Sequence, residues 1–96
     1  MASVIVSLKI MPAGPETDLD EVFVHVEKEI RSFVDAKHKD GEVRKVIEPI
    51  GFGLKALKII FVMEEAVGST EPLEQKIAKI PNVEGIEVTD VRRALG

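Results

Sequence analysis

Two histidines, two acidic clusters, one glycine-flanked phenylalanine and a pair of adjacent arginines are the residues of this 96-residue chain whose types suit chemistry. His25 and His38 stand thirteen positions apart, which is not a metal-ligand spacing, so both read as ordinary solvated side chains. Asp18, Asp20 and Glu21 form one acidic cluster, and Glu64 and Glu65 the other. Either would suit a cation, but complementing a helix dipole explains the first and solvating a turn explains the second. No nucleophile stands beside a base, and neither GxxxxGK nor GxGxxG is present to cradle a phosphate. Without cysteine there is no disulfide, thiolate metal site or cysteine nucleophile, and a reducing cytoplasm is the expected setting. No cofactor and no metal site are expected.

The elements that must hold these residues follow from hydrophobic period. Hydrophobic residues make up 45% and charged residues 31% of the chain, a mixture that folds rather than stays disordered. Residues 1–96 are expected to form one domain. From Ser3 to Met11, Val4, Val6, Leu8 and Ile10 alternate with Ser3, Ser7 and Lys9, the pattern of a half-buried strand. The stretch PAGPETD breaks that strand, and Asp18 with Glu21 opens a helix as cap and reach-back partner. Leu19, Val22, Phe23, Val26, Ile30, Phe33 and Val34, spaced by three and four, make one apolar stripe on about four turns of helix. Residues 42–50 read as an edge strand, since Pro49 removes a ladder donor. Leu54 to Met63 is nearly all apolar, as a central strand requires. Leu73, Ile77 and Ile80 mark a shorter helix stopped by Pro81, with Ser69 and Thr70 competing to cap it. A last strand recovers period two through Ile86 and Val88.

The order strand, helix, strand, strand, helix, strand predicts an α+β, ferredoxin-like βαββαβ sandwich. Its antiparallel sheet would run 4-1-3-2 with both helices on one face and the other face open, where Ile5, Ile60 and Val62 form an apolar group beside the Lys9 and Lys58 stems.

Several functions carried by such a sheet are excluded. Base-stacking RNA recognition needs exposed aromatics on the central strands, whereas Phe61 alternates into the interior and tyrosine and tryptophan are absent. Acylphosphatase-like chemistry needs an arginine just after the first strand, and MPAGPETD has none. Copper carriage needs paired cysteines. With 13 basic against 17 acidic residues the net charge is −4, which repels a polyphosphate, so no direct nucleic-acid partner is expected. The opening MASVIVSLKIMP alternates and carries Lys9, so neither a signal peptide nor a membrane partner is expected. Binding, rather than bond chemistry, is the remaining trade.

The βαββαβ order places the loop joining strands two and three at one end of the sheet and the C-terminal residues at the other. Phe52 and the Arg92–Arg93 pair are thereby predicted at opposite poles, separated by a strand of about ten residues at roughly 3.3 Å each. A turn with Phe52 tucked under the sheet edge and a solvated chain end remain the plain alternatives at these two places.

PIGFGLKALKI, together with DLDEV at the first helix and VEGIEVTDVRR at the end, resembles the guanine-nucleotide exchange domain of the translation elongation factor 1-beta family, closest to its stand-alone archaeal form, over about 90 residues. The resemblance implies a factor that promotes GDP release from elongation factor 1-alpha, meeting both GDP-bound and nucleotide-free GTPase, without bond chemistry of its own and monomeric when free. It implies a partner-binding set of Gly51, Phe52, Gly53, Lys55, Arg92 and Arg93, with the basic residue near the C-terminus intruding near the partner's magnesium and phosphate site. Eukaryotic relatives have lysine where this chain has Arg93. A guanidinium pairs bidentately with carboxylate or phosphate rather than imitating a compact ion. The alternative from another class is a regulatory module of the same fold that dimerises edge to edge and binds a small molecule.

Overall fold

Alternation carries the first strand, β1 (Ser3–Pro12), whose even-numbered side chains are buried from Val4 to Ile10. The computed structural model describes residues 2–94. After β1 come α1 (Leu19–Phe33), β2 (Arg44–Gly51), β3 (Leu54–Glu64), a single 3₁₀ turn at Glu65–Val67, α2 (Glu71–Ala78) and β4 (Val83–Arg93). The four strands pair antiparallel in the order β2-β3-β1-β4. This is the expected ferredoxin-like α+β arrangement, with β2 at an edge and β3 between two neighbours.

One face of the sheet carries the core. Val4, Val6, Leu8 and Ile10 of β1 and Leu57, Ile59, Phe61 and Met63 of β3 pack with Leu19, Val22, Val26 and Ile30 of α1 and Leu73 and Ile77 of α2 in one cluster. The α1 stripe therefore buries through a spacing of three and four, while Phe23, Phe33 and Val34 lie half-buried at its margins. Asp18 starts α1 because its carboxylate accepts from the N–H groups of Asp20 at 3.0 Å and Glu21 at 3.2 Å, two donors without a helical partner. Thr70 occupies the cap position of α2, but its hydroxyl donates to Glu74 Oε2 at 2.9 Å. The oxygen that accepts from the Glu71 N–H, at 3.1 Å, belongs to Ser69, so the two candidates share the work.

The opposite face is only partly covered. Ile5, Ile60 and Val62 are half-buried there and line a groove of about 350 Å³ with His38, Glu42 and Arg44 from the segment between α1 and β2 and the start of β2. Two side chains fasten that segment. Arg31 Nη1 donates to the Lys39 and Gly41 carbonyls, each at 2.8 Å, and Asp35 Oδ1 accepts from the Glu64 N–H at 2.7 Å. Among the described residues no helix is long and apolar enough to cross a membrane.

A register shift between β1 and β4 decides which way the two C-terminal arginines point. Ser7 faces Asp90 but Leu8 faces Val88, which leaves Thr89 as an extra residue in β4. Ile86 and Val88 are opposite Ile10 and Leu8, whereas beyond the bulge Val91 and Arg93 are opposite Val6 and Val4. Directly paired residues share a face, so Arg93 emerges on the helix side and Arg92, opposite Ile5, on the open side. An unbroken alternation would have reversed them.

Candidate functional site

Two ends of the sheet hold the expected site residues, and the fold keeps them apart. Gly51, Phe52, Gly53 and Lys55 meet at the tip of the β2–β3 hairpin. Arg93 pairs with Val4, which itself pairs with Met63 at the far end of β3. From Leu54 to Met63 the strand advances roughly 30 Å at about 3.3 Å per residue, and the longest axis of the molecule is 43 Å.

At the tip the chain turns on two residues, Phe52 and Gly53, with φ of 53° and 75°. Positive φ at both central positions is what a two-residue type I′ hairpin requires, and its twist matches that of the flanking strands. Gly51, at φ 102°, lies at the register shift that ends the β2–β3 ladder. A glycine accepts such values without penalty, but a bulky side chain in the left-handed region is a real outlier. Phe52 holds that conformation while fully exposed, at 102% of its reference accessibility. It does not tuck under the sheet edge, so among the described residues no packing of the ring offsets the strain. Lys55, also exposed, stands on the helix side and lines a groove of about 280 Å³ with Pro12, Gly14, Asp18, Asp20 and Ile47.

The other end is built differently. Arg93 Nε donates to Glu65 Oε2 at 2.8 Å and Nη2 to Oε1 at 3.0 Å, a bidentate pair on exposed side chains. The guanidinium holds the Glu65 carboxyl below its ordinary value, and the carboxylate raises Arg93 in turn. Arg92 does not join it, because its Nε donates to Asp90 Oδ2 at 2.7 Å on the open face. The two arginines are thus not one basic patch. Beside Arg93 a groove of about 360 Å³ opens between Val4, Met63, Glu65, Gly68, Thr70 and Val91.

Three residues at this end carry more than their types suggested. His38 is not simply solvated: its Nδ1 lies 2.8 Å from Asp35 Oδ2 with both side chains mostly covered, and since a carboxylate oxygen accepts, Nδ1 carries the proton there. Partial burial favours the protonated Asp35. The Glu64 N–H, the His38 side chain and the Asp35 N–H outweigh it and bring the carboxyl from its ordinary 3.8 down to about 2. Glu65, read as turn solvation, is the partner of Arg93. The sequence signal for the first pair is an aspartate and a histidine three apart just after a helix. For Glu65 and Arg93, 28 positions apart, no local signal exists. His25 is exposed as expected, and among the described residues no group of three or more His, Cys, Asp or Glu side chains is arranged to hold a metal ion.

Residues 5–94 match the family model described as the EF-1 guanine nucleotide exchange domain. Proteins named Elongation factor 1-beta are similar over nearly the whole chain. The one from Methanosphaera stadtmanae is 40% identical over 95 residues, covering 99% of this chain and 100% of the relative. That of Methanococcoides burtonii is 37% identical over 93 residues, covering 97% and 98%. That of Staphylothermus marinus is 40% identical over 94 residues, again covering 97% and 98%.

Proposed function

Because this chain belongs to the EF-1 guanine nucleotide exchange domain family, we propose that it acts as a single exchange domain in the cytoplasm, binding elongation factor 1-alpha as a monomer and promoting release of its GDP. A guanine-nucleotide exchange role on that GTPase is what the family supports. The release step and the residues that perform it are our reading.

The observation that carries this reading is the fully exposed Phe52 on a strained turn, roughly 30 Å of strand away from a guanidinium. A rigid sheet of this length lets one small body press on two places of a larger partner. At the tip, Phe52 supplies a pre-ordered aromatic whose burial against the partner is the kind of contact that dominates interface energy. Gly51 and Gly53 set its angle, and Lys55 adds a cation just behind it. At the foot, Arg93 faces the partner's magnesium and phosphate site, where its planar fork pairs with the carboxylate or phosphate oxygens that surround the ion. Arg92 makes its contact from the other side of β4.

Release then needs no bond chemistry. If the domain binds nucleotide-free GTPase more tightly than the GDP form, linkage requires that it loosen GDP by the same factor. A hundredfold loosening corresponds to about 2.7 kcal/mol of differential affinity at ~1.4 kcal/mol per decade.

The test is release of a fluorescent GDP analogue from the cognate GTPase, with a parallel co-purification of the two proteins. Acceleration at substoichiometric chain, with a 1:1 complex that excess GDP dissociates, is the expected result. An unaccelerated release, or a dimer that takes up small molecules and ignores the GTPase, would overturn the reading.

A further inference from the structure

Building on the exchange role proposed for Arg93, we propose that Glu65 is its positioning residue, a carboxylate that fixes the guanidinium's direction while leaving its outer edge free for an anionic group of the partner.

The backbone geometry comes first. The Thr89 bulge turns Arg93 toward the helix side, where Glu65 begins the 3₁₀ turn that follows β3. Both residues sit beside the start of β1: the Glu65 N–H donates to the carbonyl of Ala2, just before the strand, at 2.9 Å, while Arg93 is opposite Val4 and the N–H of the next residue, Ala94, donates to the Ser3 carbonyl at 2.9 Å. Asp35 secures the residue before, accepting from the Glu64 N–H at 2.7 Å. Neither end of the pair is left to a long flexible tether.

The side-chain geometry then decides between two roles. A latch that withholds Arg93 would cover the edge a partner needs. Here the carboxylate takes Nε and Nη2 from the side. Of the five N–H donors of a guanidinium, two are used among the described residues. Both on Nη1 and the second on Nη2 remain, and these form the terminal fork that grips two oxygens of a carboxylate or phosphate. One guanidinium therefore serves Glu65 and an incoming anion together. Ordering a long side chain before contact removes a conformational cost that binding would otherwise carry.

The experiment compares GDP-analogue release from the cognate GTPase driven by the full-length wild type, Glu65→Ala, Glu65→Gln, Arg93→Ala and the double variant Glu65→Ala/Arg93→Ala. Glu65→Ala is expected to lower the maximal release rate about two- to tenfold, the range set by immobilising one such side chain, with a smaller change in half-saturating concentration. Glu65→Gln, which keeps the shape and one neutral acceptor, should fall between it and the wild type. In the Arg93→Ala background the Glu65 substitution should add nothing. Faster release by Glu65→Ala would show a latch, and slowing of equal size in the Arg93→Ala background would show that Glu65 acts on its own. Either result, or an unaffected Glu65→Ala beside a slowed Arg93→Ala, overturns this inference alone. Full exchange by Arg93→Ala overturns the role given to Arg93, and this inference with it.

Discussion

The hairpin tip and the opposite end of the sheet each expose one residue of the proposed contact, yet they are held by different physics. At the tip, a Cβ added to Gly51 or Gly53 would meet nothing within 4 Å, so the conformation there is set by backbone dihedrals and by the ladder behind it. At the other end, Arg93, Glu65, Glu64, Asp35 and His38 form a chain of contacts spanning four segments. A locally determined tip keeps its shape when its exposed aromatic is changed. A tertiary-determined foot is sensitive to substitutions distant in sequence. The two ends therefore separate stability from function in different ways.

The sharpest break in this comparison is expected from Arg93→Ala. Charge-assisted hydrogen bonds of the kind lost are worth about one to two decades, so release of the GDP analogue should slow about ten- to a hundredfold. Thermal unfolding should move little, because an exposed ion pair contributes little to stability. An equally large drop in thermal stability would mean that the foot is structural.

Phe52→Ala comes next. As the central aromatic of the proposed contact, its loss should weaken the complex with the GTPase roughly tenfold or more, measured by titration calorimetry against nucleotide-free partner. Stability should stay within about 0.5 kcal/mol, since the ring touches little in the free chain.

Phe52→Gly sharpens the same point from the other side. Relieving the left-handed strain should stabilise the domain by about 1 kcal/mol, a rise of about 4–8 °C in the melting temperature for a chain of this size, while partner affinity is lost. A falling melting temperature would refute the claim that the tip is strained.

The effect confined to the narrowest range of conditions belongs to acid. The Asp35 carboxyl lies at about 2 in the folded chain against an ordinary 3.8, so the folded state binds protons less readily. Its contribution is complete above the unfolded value of 3.8 and is lost as pH falls through about 2. Acid unfolding of Asp35→Asn should lack the component that the wild type shows across that interval, and identical acid transitions would remove the tie between the α1–β2 segment and β3.

Period and punctuation were enough to read most of the architecture. The three-and-four spacing of Leu19, Val22, Val26 and Ile30 and the alternation of Val4 through Ile10 each encode burial on one face within a few residues. The prolines and glycines between them mark where each pattern stops. The Gly-Phe-Gly turn was also legible as a turn. Its exposure was not, because an aromatic beside two glycines is equally compatible with tucking inward, and only the dihedral signs at Phe52 and Gly53 direct the ring outward.

The other end shows what local pattern does not contain. Val88 and Val91, three apart, interrupt the period of two and hint at the bulge, but whether Arg92 or Arg93 reaches the helix side depends on which β1 residue each pairs with. The meeting of Glu65 with Arg93, and of Asp35 with Glu64, depends likewise on β1 lying between β3 and β4. By itself the sequence determined the elements, their order and the separation of the two poles, since these follow from periodicity and chain connectivity. Which arginine faces which way, and what holds it there, was decided only by tertiary structure, because strand register and long-range hydrogen bonds are properties of paired segments and not of any one of them.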